Sequence, residues 1–296
     1  MSLLPPHYLD CVVAIGIIGA NQTTQWSGTG FFYGYPVHKK DGKQLYAVYL
    51  VTNKHVVKDH KEVRVKINPQ DGNPGKEYPV ELIDKDKNVL WRSHGDNEVD
   101  LAVIRVNTDY MNAQKLKYAF FAQDTQVHFL DDLKKGIGTE GDPVFLLGFP
   151  LGNVGARHYA ICRGGTIARI RDWNGGHTKD FLVDAAVFPG NSGGPVVNSV
   201  YATAITGTSA LDRASLIGVV QSYLPYQDVA VSQQTKRPRI IFEENSGLAS
   251  VIPADFIREI ISADQVQKEL PLSSNQIPKP PTNPVAQTTD MRPSVP

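Results

Sequence analysis

The sequence has no excess of charge of either sign: 30 Lys and Arg stand against 30 Asp and Glu, and the pI is about 7.1. Nucleic acids and anionic membranes select basic surfaces, so neither is expected as a partner. Cysteine is scarce. Cys11 and Cys162 are the whole supply, too few for a disulfide framework. Whether the two meet in space is left open by the sequence, but a secreted domain of this length usually carries more, so two free, buried thiols in a reducing compartment are expected. No apolar run reaches the roughly 20 residues needed to cross a bilayer. The one candidate, Cys11 to Ala20, has no Lys or Arg before it and follows Asp10 directly. It therefore lacks the positive start of a signal peptide and reads as a first β-strand, with the protein cytoplasmic. Histidine is missing from the last 119 positions, because all eight lie at or before His177.

What is present suits a folded body. A hydrophobic share of 41% with 20% charged residues excludes a chain too polar to bury a core. Short runs rich in Val, Ile, Tyr and Phe recur between Gly, Asn, Asp and Pro. They are Cys11–Ile18, Gly30–Tyr35, Leu45–Thr52, Val63–Ile67, Leu101–Val106, Pro143–Gly148, His158–Ile170, Phe181–Val187, Pro195–Val197 and Leu216–Gln221. Length, β-branching and turn punctuation predict an all-β barrel or sandwich. From Pro253 to about Lys268, Phe256, Ile257, Ile260 and Ile261 instead fall on one helical stripe, with Pro253 suited to a first helical position. Residues 271–296 carry seven prolines and few large apolar groups, so a flexible tail is expected.

The densest chemical signal is Pro189-Gly190-Asn191-Ser192-Gly193-Gly194-Pro195. Glycines around a serine permit positive φ and let backbone N–H groups converge on a developing oxyanion; a plain turn between strands has a similar composition. Gly190–Gly194 also fits G-x-S-x-G, the nucleophile elbow of α/β-hydrolases, but that fold needs its histidine after the serine, and none exists. The order His, Asp, Ser stays open. His55 follows the apolar run Tyr49–Thr52, and Asp100 opens the run Leu101–Ile104. A lone His or Asp at a strand end is usually a solvated turn residue; three groups in order, each beside an apolar strand, favour a catalytic triad. A metal site on His55, Asp59 and His60 matches no recognised ligand spacing, and no metal or other cofactor is expected.

These segments resemble the Deg/HtrA branch of trypsin-like peptidases. The carriers are Thr52-Asn53-Lys54-His55-Val56, Asp100-Leu101-Ala102-Val103-Ile104 and Asp184-Ala185-Ala186-Val187-Phe188-Pro189-Gly190-Asn191-Ser192-Gly193-Gly194, supported by Leu147–Pro150, Arg163–Ala168 and Gly247–Ala254. The resemblance implies an all-β, chymotrypsin-like double β-barrel with a C-terminal helix. Residues 1–125 would form the first barrel, carrying His55 and Asp100, and 126–270 the second, carrying Ser192 and the helix, before the tail 271–296. It implies a serine endopeptidase with His55, Asp100 and Ser192 as triad, an oxyanion hole from Gly190, Asn191 and Ser192, and a protein or peptide substrate. The primary pocket would be built from Ala186, Val187, Val220, Gln221 and Ser222. With Ala186 at its base and no carboxylate there, small or medium apolar residues are expected before the scissile bond. A binding module that has lost activity is the competing reading.

Departures from the family pattern set further expectations. No PDZ domain is expected after the helix. The regions Lys54–Glu98 and Tyr201–Ala214 look like surface loop insertions. Asn191 stands where zymogen-type relatives carry an aspartate, so activation by N-terminal cleavage is not expected. Ordering of the loops Asp172–Lys179 and Tyr201–Ala214, by their own contacts, by substrate or by a regulatory protein partner, would take its place.

Overall fold

In a computed structural model the described residues are 4–135, 138–152, 155, 157–201 and 210–267. The Pro-rich tail, and most of the stretch Tyr201–Ala214, lie outside them. Eight strands form the first sheet: β1 (Val12–Ile18), β2 (Thr24–Lys40), β3 (Lys43–Thr52), β4 (Glu62–Ile67), β5 (Lys76–Glu81), β6 (Trp91–Ser93), β7 (Ala102–Arg105) and β8 (Phe121–Ala122). Hydrogen bonds order it β5-β4-β1-β2-β3-β7-β6, with β8 parallel to β2. Six more strands close a barrel in the order β10-β11-β14-β13-β12-β9. They are β9 (Pro143–Gly148), β10 (Ile161–Arg169), β11 (Phe181–Asp184), β12 (Pro195–Asn198), β13 (Leu216–Val231) and β14 (Pro238–Pro253). The chain thus forms the all-β, chymotrypsin-like pair of barrels with a terminal helix, the first barrel being left open between β5 and β6.

Alternation explains how one sheet serves two cores. Side chains on a strand point to opposite faces. On β1, Val13 and Ile15 join Phe32, Leu50, Val63 and Val65 inside the first barrel. Val12 and Ala14 face the other way and pack with Phe31, Tyr33, Val51, Leu146 and Phe149 in a core shared with the second barrel. The terminal helix Asp255–Gln267 buries Phe256, Ile257, Ile260 and Ile261 in that shared core, so the helical stripe packs as its period requires. It starts two residues later than expected, because Pro253 is still the last residue of β14. Its polar face reaches back to the first sheet, through Arg92 Nε to Asp264 Oδ1 at 3.1 Å and His94 Nε2 to Glu259 Oε2 at 3.0 Å.

Three expectations change. The stretch Lys54–Glu98 is no loop insertion, since it supplies β4, β5 and β6. Cys11 is buried and Cys162 exposed, both unpaired, so only one thiol is sequestered. Most unexpectedly, β13 and β14 run 16 residues each, well past the short Leu216–Gln221 segment, and form a ribbon that leaves the body.

Candidate active site

His55 sits in a single helical turn, Lys54–Val57, directly after β3. Asp100 precedes β7, which pairs with β3 through Thr52 and Ala102, so strand pairing brings the two side chains together. Asp100 Oδ1 accepts the His55 backbone N–H at 2.9 Å, and Oδ2 is hydrogen-bonded to ring Nδ1. The Asp100 carbonyl accepts from Asn53 Nδ2 at 2.9 Å and from the Lys54 N–H at 3.3 Å. This frame fixes the imidazole with Nε2 facing away from the carboxylate; the ring keeps 45% of its side-chain surface exposed.

The serine loop is locked by its glycines. Gly190 has φ +98° and Gly193 φ +86°, a region that only glycine adopts freely. A Cβ at Gly193 would collide with the Thr29 carbonyl, and one at Gly190 with the Phe149 carbonyl. Within the loop the Asn191 N–H donates to Phe188 O at 3.0 Å, Gly193 N–H to Val220 O at 2.9 Å and Gly194 N–H to Asn191 O at 2.9 Å. The N–H groups of Gly190 and Ser192 have no acceptor among the described residues. An oxyanion could therefore be held by those two, while the Asn191 N–H is already committed.

One residue that the motifs did not single out joins the halves. Thr29, fully buried on β2, donates its backbone N–H to Ser192 O at 2.9 Å and its hydroxyl to Gly190 O at 2.6 Å. The same hydroxyl accepts the Phe149 N–H at 3.0 Å, and the Thr29 carbonyl accepts from Thr52 Oγ1 at 2.8 Å. Three of these bonds run from Thr52, on the strand before His55, through Thr29 to the loop that carries Ser192, and the fourth holds Phe149 after β9. The only sequence signal is a threonine between Gly28 and Gly30, which is too common to find it.

The Ser192 hydroxyl donates to the Gln221 carbonyl at 3.1 Å, and no hydrogen bond joins it to His55. Gln221 is the extra residue where the β13–β14 register shifts between Val220 and Ser222. Such a bulge re-aims the backbone, and here it accompanies a carbonyl directed at the Ser192 hydroxyl. The residues expected to form the primary pocket divide. Ala186, Gln221 and Ser222 reach the surface, whereas Val187 and Val220 are packed in the shared core and cannot serve as open walls. Asn245 Nδ2, on β14, is hydrogen-bonded to Val187 O. A cleft of about 330 Å³ opens beside Gln221, lined by Glu98, His177, Thr178, Lys179 and Asp180. Lys179, one of its lining residues, pairs with Asp96 at 3.3 Å.

A His–Asp pair beside a glycine-locked serine loop, at the junction of two β units, has the plan of a serine peptidase site. Residues 28–202 match the trypsin-like peptidase domain, and the chain belongs to that family. Among curated proteins it is similar to the probable periplasmic serine endoprotease DegP-like of Rhizobium meliloti (strain 1021), with 35% identity over 172 residues, 58% of this chain and 25% of that protein. The protein of the same description from Bartonella henselae is 34% identical over 169 residues, 57% of this chain and 25% of that one. The chain therefore spans about a quarter of the length of these relatives. Among solved structures, the MamO protease domain of Magnetospirillum magneticum aligns over 86% of this chain and 97% of its own, at TM-score 0.45 and 17% identity. Mouse neuropsin aligns over 90% and 98%, at TM-score 0.44 and 13% identity. The relatives are named as periplasmic proteins, which overturns the cytoplasmic assignment. Two unpaired cysteines and an apolar first strand were weak grounds for a compartment.

Proposed function

We propose that the chain is a serine endopeptidase in which Ser192 is the nucleophile, His55 the general base and acid, and Asp100 the group that fixes the imidazole tautomer. The observation that carries this reading is Asp100 holding His55 at both backbone and ring next to a loop with two unspent N–H groups. In the proposed reaction Ser192 Oγ turns from Gln221 O towards His55 Nε2, gives up its proton and attacks the scissile carbonyl. The oxyanion is held by the N–H groups of Gly190 and Ser192, each worth roughly 10²–10³ in rate where such donors have been removed. His55 then protonates the leaving amine, and water repeats the sequence on the acyl-enzyme.

The substrate is a protein or peptide. Ala186 offers no carboxylate at the exposed base of the pocket, which supports cleavage after small or medium apolar residues. We divide the chain into units 1–125 and 126–270 with a tail 271–296, and place it in a periplasm-like compartment by its relatives. A regulatory protein partner acting on the loops around Asp172–Lys179 fits the absence of an aspartate at Asn191. The test is active-site labelling with a fluorophosphonate and hydrolysis of a protein substrate by the wild type, Ser192→Ala and His55→Ala. Labelling and turnover lost in both variants is expected; an unlabelled wild type would leave a binding module, and a profile of cuts after Arg or Lys would reject the pocket assignment.

A further inference from the structure

The β13–β14 ribbon is the largest feature that the site does not use. Beyond Tyr223 and Asn245 its residues are mostly exposed on both strands, yet it carries Tyr226, Val229, Val231, Ile240, Ile241 and Phe242, each 42–61% exposed. An isolated two-stranded ribbon is marginal in water, and three or more strands with an apolar face are needed for stability. Its two edges differ. The outer edge of β13 is broken by Pro225, which donates no hydrogen bond. The outer edge of β14 touches the body at Asn245 and Gly247, through bonds to Val187 O and from Ala185 N–H. From Glu244 back to Arg239 no proline interrupts it, and no strand pairs with it among the described residues.

The sequence along that edge is self-complementary. It reads Lys236-Arg237-Pro238-Arg239-Ile240-Ile241-Phe242-Glu243-Glu244, basic at one end, apolar in the middle and acidic at the other. We propose that β14 pairs antiparallel with β14 of a second copy of this chain, about a two-fold axis at Ile241. In that register Arg239 lies opposite Glu243 of the second copy, Ile240 opposite Phe242, and Ile241 opposite its own copy. Residues 239, 241 and 243 share one face, so an ion pair flanks each side of the central isoleucines. The other face gathers Ile240 and Phe242 from both copies. Shifting the register by two would set Ile241 opposite Glu243 or Arg239, placing charge against hydrocarbon, and a shift by one would reverse which face meets which. The pairing converts two ribbons into one four-stranded sheet and removes the exposed edge.

Two single substitutions and their mixture test the pairing. Arg239→Glu sets a new carboxylate against Glu243 at both symmetry-related positions, and Glu243→Arg sets a new guanidinium against Arg239. Sedimentation velocity of the full chain across the micromolar range should show a wild-type dimer and at least roughly tenfold weaker self-association for each variant. In an equimolar mixture, a dimer of one Arg239→Glu chain with one Glu243→Arg chain has opposite charges at every facing pair, so dimerisation should return. The double variant should dimerise as well. Circular dichroism of each variant checks that the fold is kept. A wild type that stays monomeric would give the ribbon another occupant and overturn the proposal. So would single variants that dimerise like the wild type, or a mixture that fails to recover.

Discussion

Thr29 leaves none of its polar atoms idle: three of its bonds serve the loop that carries Ser192 or the strand before His55, and the fourth holds Phe149 after β9. Thr29→Val keeps the shape but strips Gly190 O and Phe149 N of their partner, at a cost of about 1–3 kcal/mol in stability. Misplacing the loop should lower kcat by up to about 10²-fold while KM moves little; Thr29→Ser should restore most of both. Denaturant titration and steady-state kinetics on a short peptide read the two effects separately. Ser192, His55 and Asp100, the proposed triad, were singled out in the sequence because the chemistry expected of them constrains the neighbours: glycines for positive φ, apolar strands for placement. Thr29 was not, because its part depends on which strands meet across roughly 160 positions of chain.

Among elements, the terminal helix was legible and the ribbon was not, for the same reason. Periodicity reports burial, and Phe256, Ile257, Ile260 and Ile261 are buried on one stripe. The outer halves of β13 and β14 bury nothing, so their residues carry no period that betrays a strand. Strand β5 was hidden differently: Pro79 interrupts Lys76–Glu81, which an edge strand tolerates and a central one would not. Ile257 is fully buried where the helix meets both sheets. Ile257→Ala should therefore destabilise the chain by about 2–5 kcal/mol, seen as a lower guanidinium midpoint with an unchanged slope. A loss below about 0.5 kcal/mol, as at exposed positions, would mean that the helix is not part of the cooperative unit.

For the molecule as a whole, the seam between the sheets carries a titratable group. His158 accepts the Ala14 N–H at its Nε2 at 3.0 Å, exchanges two backbone bonds with the Asn68 side chain, and stacks on Phe149 at 4.1 Å. Burial first, and then the charge of Lys66, pushes its pKa down to about 3 from 6.5. The unfolded chain then binds the proton that the folded chain refuses. Stability contributed by the neutral ring is complete above pH 6.5 and is lost as pH falls towards 3, at up to about 1.4 kcal/mol per pH unit. His128, also held low by burial, acts in the same direction. His158→Gln, which keeps an acceptor for Ala14 but does not titrate, should give a less steep fall in unfolding free energy between pH 6 and pH 4 (roughly the window named above). Urea titrations at those two values would decide it, and equal slopes would remove His158 as the cause.

The bond from Ser192 to the bulged Gln221 carbonyl has a consequence for the order of events. Gln221 is partly exposed at the bulge, and an extended ligand with a backbone N–H competes for its carbonyl. Arrival of a peptide would then evict the hydroxyl and set the proposed nucleophile loose only when there is something to cut. A small phosphonate without amides has no such lever and must wait for the side chain to rotate by itself. Peptidyl phosphonates should therefore label Ser192 faster than a simple fluorophosphonate of equal intrinsic reactivity, and the gap should close when the probe's amide nearest the phosphorus is N-methylated. Equal rates for all three probes would mean that the resting hydroxyl is not held back.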